Sequence, residues 1–114
     1  MDKLITPIIT LIFVTSGGAK LLGLQFEIDA FERWGYPVWF MYLTGVIEVA
    51  AGLAIWIKPL RFLASVGLNC VMMGAMTTHL VNSEWPMLGV ASAIFLLTLI
   101  NTWRLKGDLN WPKA

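Results

Sequence analysis

Charge is missing from this sequence over four long stretches, and that absence constrains the chain more than any motif. Leu4 to Ala19 carries no charged residue, and Lys20 is followed by Leu21 and Leu22. From Trp34 to Ile57 the only charge is Glu48, Phe62 to Ser83 has only His79 near its end, and Trp85 to Trp103 has none. A helix crossing about 30 Å of hydrocarbon needs about 20 predominantly apolar residues, because lipid offers the backbone no water to bond. Three runs reach that length, and the first does so if Lys20 snorkels.

Composition agrees: 58% of residues are hydrophobic, 13% are charged and the mean hydropathy is +0.74, whereas an average soluble domain is about a quarter charged. Disorder, a nucleic-acid-binding domain and an ordinary cytosolic enzyme are excluded, and no nucleic-acid partner is expected. The net charge of +1 is too small to imply an electrostatic partner. A lone cysteine, Cys70, excludes an internal disulfide, a CxxC pair and a thiolate zinc site, and reads as a small buried apolar residue. The expectation is an all-α, single-domain integral membrane protein over residues 1–114, a four-helix bundle with spans near 4–22, 37–57, 61–82 and 86–104.

Proline and tryptophan support the span count independently. Pro7, Pro37, Pro59 and Pro86 fall in first turns or connections, where a missing N–H costs least. Trp34, Trp39, Trp56, Trp85, Trp103 and Trp111 lie near span ends, the depth at which amphipathic rings meet headgroups. Lys3, Lys58, Arg61, Arg104, Lys106 and Lys113 would share one side, against Lys20 and Arg33 on the other. By the positive-inside rule both termini are then cytoplasmic, N-in and C-in. Glu27, Asp29, Glu32 and Glu84 make the opposite face acidic. The first run reads as a retained span, not a cleaved signal peptide, because Asp2 offsets Lys3 and weakens the basic n-region.

The long connection, 23–36, places Phe26, Ala30, Phe31 and Trp34 at helical spacing, with Glu27, Asp29, Glu32 and Arg33 on the remaining faces. It predicts a short amphipathic helix over about 25–35, lying at the outer interface or folded over the bundle.

Ionisable groups inside spans are costly, so each is a candidate functional residue. Glu48 lies roughly 16 Å beyond Pro37 at 1.5 Å per residue, near the bilayer midplane. Gly45 and Gly52 share its helical face, which directs it into a tightly packed bundle. Lys20 is the nearest cation, about 8 Å away in depth by the same rise, beside the small residues Ser16, Gly17, Gly18 and Ala19. It either pairs with Glu48 or snorkels to the headgroups. His79 follows Thr77 and Thr78 near the outer end of the third span, and Asn69 lies deeper, about 80° around that helix. A lone histidine makes no metal site. Lys20, Glu48, Asn69 and His79 are the candidate ligand-binding residues of an outward-opening polar pocket. Met72, Met73 and Met76 are available to line it, and Gly67 and Gly74 form a small-residue stripe.

Taken in order, Gly18, Ala19 and Lys20, then Phe31, Gly35, Tyr36 and Pro37, then Gly45, Glu48 and Gly52, then Gly74, Ala75, Thr78 and His79 resemble the DoxX-like family of small four-helix membrane proteins. The resemblance runs over about residues 13–97. It implies a four-helix bundle with Lys20, Glu48 and His79 as signature polar residues. It also implies a partner of membrane redox systems, as in the thiosulfate:quinone oxidoreductase subunit, while related eukaryotic proteins are similar to receptor-assembly factors. The absence of a CxxC and of paired histidines excludes dithiol exchange and bis-histidine haem ligation.

The leading functional expectation is a redox-associated or accessory protein of the bacterial inner (cell) membrane that binds a quinone-like or lipid ligand in the polar pocket. One alternative is a proton-coupled small-molecule exporter built around Glu48. Another is a non-enzymatic assembly factor whose glycine faces dock other membrane proteins or a second copy of the chain.

Overall fold

The computed structural model describes residues 3–106; Asp2, Trp111 and Lys113, used above, lie outside the described residues. Among the described residues there are five helices and no strand: α1 (Ile5–Leu21), α2 (Gln25–Trp34), α3 (Val38–Ala54), α4 (Arg61–Val81) and α5 (Trp85–Leu105). Four correspond to the expected spans, and α2 is the expected connecting helix.

Three helices end on the same device, a left-handed residue whose successor bonds back five positions. After α1, Gly23 sits at φ 63° and Leu24 donates to Ala19. After α2, Gly35 sits at φ 81° and Tyr36 donates to Phe31. After α4 the left-handed position is filled by Ser83 at φ 57°, and Glu84 donates to His79. Pro37, extended at φ −71°, starts α3, and Pro86 stands in the first turn of α5, where its missing N–H has no helical partner to lose. The Gly23 turn bends α2 by 84° from α1.

The helices pack as two close pairs, α1 with α3 and α4 with α5, with thinner contact between the pairs. In the first pair the backbones nearly touch: a Cβ on Gly17 would lie 2.7 Å from the Gly45 carbonyl oxygen, and one on Gly45 would lie 2.9 Å from that of Gly17. Thr10 donates across the same seam to the Gly52 carbonyl at 2.8 Å. The second pair is fastened by polar groups. Ser65 and Thr102 share a 2.7 Å hydrogen bond, Asn69 Nδ2 donates to Thr102 at 2.9 Å, and Asn101 Nδ2 to Ser65 at 3.1 Å. Ile9, Phe13, Ile55, Leu68, Met72 and Ala91 join the two pairs in one apolar cluster.

The outside of this bundle is more apolar than water tolerates. Leu11, Leu63 and Val90 are 69%, 70% and 62% exposed, while Thr6, Ser65, Thr98 and Asn101 are buried. Extensive exposed apolar surface over a polar seam is the distribution a lipid environment favours. By length and apolarity alone, α4 and α5 are long enough to cross a membrane, and α1 with α2 makes a third candidate as one broken span. The expected span 37–57 is realised as the shorter apolar α3 of 17 residues, and the first as the 17 residues of α1. The four expected runs are thus helical, but by length and apolarity they give two to three candidate spans, not the four expected.

The glycines of α4 differ from the expectation of a packed stripe. A Cβ on Gly67 or Gly74 would meet nothing within 4 Å, so neither mediates a close approach within the chain. The same holds for Gly18, so of the two adjacent glycines of α1 only Gly17 sits in the close approach to α3.

Candidate functional site

All five helices line a cavity of about 950 Å³, apolar along most of its wall and charged at one end. The charged end begins with Lys20, one residue before the end of α1. Its ammonium lies 3.1 Å from Glu27 Oε2, 3.2 Å from Glu48 Oε2 and 2.9 Å from Ser16 Oγ. Lys20, Glu27 and Glu48 are only 8%, 9% and 5% exposed. Lys20 therefore pairs inward, and the snorkelling alternative does not describe this structure. Taking three charges out of water is costly unless each is matched, and here two carboxylates share one ammonium. With all three groups ionised, the cluster carries a formal charge of −1.

Glu27 is the member that sequence reading missed, because α2 is turned differently from the expectation. Its buried residues are Glu27, Ala30 and Phe31, while Phe26, expected on the inner face, is 65% exposed. The signal was present: Glu27 stands three and four residues before Ala30 and Phe31, on their helical face. Its charge had assigned it to water.

A second constellation gathers on Glu84, another residue read only as surface acid. The left-handed Ser83 turns the chain so that Glu84 lies over the end of α4. Its carboxylate accepts from His79 Nδ1 at 2.8 Å, from Trp34 Nε1 at 2.9 Å and from Arg33, whose NH2 nitrogen lies 2.9 Å away. One side chain thus ties α2 to the α4–α5 turn. The hydrogen bond from His79, then those from Trp34 and Arg33, hold the Glu84 carboxyl below its ordinary value of 4.5. A depressed folded-state value means that stabilisation is complete above about pH 4.5 and is lost as pH falls through the folded value. The protein should accordingly lose thermal stability as the pH is lowered below about 4.5, and Glu84→Gln should flatten that loss in a melting series across pH.

Between the two constellations, the Tyr36 hydroxyl lies 2.8 Å from Thr78 Oγ1, and Thr78 donates to the Gly74 carbonyl at 2.9 Å. Phe31, Trp34, Tyr36 and His79 stack edgewise, with the Trp34 and His79 rings 5.6 Å apart, and all four line the cavity. On its flank the wall includes Leu43 and Ile47 of α3 and Met87 and Val90 of α5, all of them exposed. The cavity is open to the side.

Of the four candidate residues, Lys20, Glu48 and His79 line this cavity and Asn69 does not. Asn69 faces α5, where Thr102 takes its amide; the turn of α4 that aims His79 inward aims Asn69 into the seam with α5. Cys70, expected to be buried, is exposed and belongs to the cavity wall, as does Met72, whereas Met73 and Met76 do not.

An uncharacterized protein of Bacillus subtilis (strain 168), YdgD, is 28% identical over 91 residues, which cover 75% of this chain and 80% of that protein. No solved structure matches the chain. The model of the DoxX-like family matches residues 4–101, a stretch that contains both constellations and all five helices nearly to the end of α5. The chain belongs to the DoxX-like family.

Proposed function

We propose that this protein holds a quinone-like lipophile in its cavity as a redox-associated or accessory component of a bacterial inner (cell) membrane, with its polar head beside Lys20, Glu48 and His79. The observation that carries this reading is a cavity of about 950 Å³ that joins an apolar, side-opening wall to a buried charged end. That is the form of a site for an amphipathic small molecule. In this reading all four long helices cross the bilayer, N-in and C-in. At about 1.5 Å per residue the 17 residues of α1 and of α3 reach about 26 Å, at the short end of the spanning range. Membrane lipid surrounds the bundle, and the open α4 face around Gly67 is available to another membrane protein or a second copy.

The test is retention of a short-chain ubiquinone analogue, supplied separately in oxidised and reduced form, by protein-loaded nanodiscs relative to empty ones. Saturable retention of at least one form is expected. Glu48→Gln, which leaves Lys20 paired with Glu27, should weaken the better-bound form about tenfold, or about 1.4 kcal/mol. Retention no greater than in empty discs for both forms overturns the proposal.

A further inference from the structure

The charged end of the cavity is roofed by a single short helix. α2 lies at 84° to α1, and Glu27, Phe31 and Trp34 on its underside line the cavity. Its upper face, with Gln25, Asp29, Glu32 and Arg33, is polar and exposed. Each end of α2 adjoins a glycine in the left-handed region, Gly23 at φ 63° and Gly35 at φ 81°, a backbone state that glycine enters without steric cost. Hinges are made of a few such residues at the ends of elements, where changes of φ and ψ are absorbed.

Little apolar surface holds this roof down. Ala30 and Phe31 are its only buried apolar residues, its contact with the other helices is thin, and regions with few buried apolar contacts open most readily. Toward α4 and α5 the closure is polar instead. The Glu84 carboxylate accepts from the Trp34 indole at 2.9 Å and lies 2.9 Å from the Arg33 guanidinium, while His79 of α4 holds it from the other side at 2.8 Å. Water can replace each of these partners. Tyr36, which meets Thr78 at 2.8 Å, lies beyond the Gly35 hinge and stays with the wall. The ion cluster beneath is suited to the same movement. Glu27 is its only member on α2, so raising α2 carries one carboxyl group out to water. Lys20 still faces Glu48 Oε2 at 3.2 Å and Ser16 Oγ at 2.9 Å, so the ammonium is not left stranded, which is the costly outcome for a buried charge.

We propose that α2 is a hinged lid over the charged end of the cavity, turning on Gly23 and Gly35 and latched by Glu84. Raising it opens a second mouth, polar where the sideways opening is apolar. A lipophile that has entered through the apolar side then meets the outer aqueous phase at its head only while the lid is raised. The lid follows from the geometry of α2; its role in exposing a ligand head rests on the reading of the cavity as a lipophile site.

Cys70, the sole cysteine, is exposed on the cavity wall and serves as the reporter. The full chain in nanodiscs is treated with trimethylammonium-ethyl methanethiosulfonate, a charged thiol reagent that travels only through water. A parallel sample receives N-ethylmaleimide, which also passes through lipid, and adducts are counted by intact mass. Glu84→Ala removes the latch and should raise the rate of the charged reagent by about tenfold or more, the scale of losing hydrogen bonds to a charged group, with the N-ethylmaleimide rate almost unchanged. Arg33→Ala alters an exposed side chain and removes one of the three partners of Glu84. It should give a smaller rise of the same kind, and it carries the test if Glu84→Ala does not fold. No rise for the charged reagent in either variant overturns the lid. An equal rise with both reagents overturns it as well, because the whole bundle has then loosened. Neither measurement uses a lipophile, so the lid and the retention of the ubiquinone analogue stand or fall separately.

Discussion

Lys20→Met should destabilise the protein by about 3–5 kcal/mol, the usual cost of stranding a buried charge by removing its partner. Here two carboxylates would be stranded at once, since Lys20 lies 3.1 Å from Glu27 and 3.2 Å from Glu48, and all three residues are buried. Methionine keeps the length of the stem, so packing of α1 against α3 is largely preserved. The measurement is unfolding of the purified protein in a fixed detergent, and its control is the triple variant Lys20→Met, Glu27→Gln, Glu48→Gln. Replacing a whole buried ionic group is far milder than breaking it, so the triple variant should recover most of the loss. If the triple variant is no more stable than the single one, the cost of Lys20→Met arises from packing and the charge argument fails.

Gly17→Ala comes next in size. Its Cβ would lie 2.7 Å from the Gly45 carbonyl oxygen, 2.7 Å from a Val49 methyl and 3.0 Å from Glu48 Cβ. The first of these is backbone and has no rotamer to change, so α1 and α3 must separate. Overpacking of this kind costs about 1–3 kcal/mol, and the separation also draws Glu48 away from Lys20. Gly67→Ala should act in the opposite direction. Its Cβ meets nothing within 4 Å, so the change gains helix propensity of about 0.5–1 kcal/mol without a clash. Opposite signs for two glycine-to-alanine changes, read on the same unfolding scale, check the packing scheme. A neutral Gly17→Ala would count against the close approach of α1 and α3.

The helices were legible because lipid thickness and charge cost act on long windows, where a few residues of error matter little. The runs around Leu4, Trp34, Phe62 and Trp85 became α1, α3, α4 and α5. Facing was harder to read. Asn69 and His79 share α4 and both are polar, yet one bonds Thr102 in the α5 seam and the other lines the cavity. That choice is made by neighbouring helices, which a single helix's periodicity does not contain. Glu27 was hidden for a related reason: a carboxylate on an amphipathic helix is normally solvated, and only the arrival of Lys20 from α1 makes its burial bearable. Glu84 depended on Ser83 adopting φ 57°, a backbone state that serine adopts far less readily than glycine.

On the proposed reading, the sideways opening past Leu43, Ile47, Met87 and Val90 faces acyl chains and decides which phase the cavity samples. A molecule dissolved among acyl chains arrives without a passage through water, so the concentration that governs occupancy is its mole fraction in the bilayer. Even a weak intrinsic preference would then suffice to fill the cavity, and a compound too water-soluble to partition would be excluded before any side chain had inspected it.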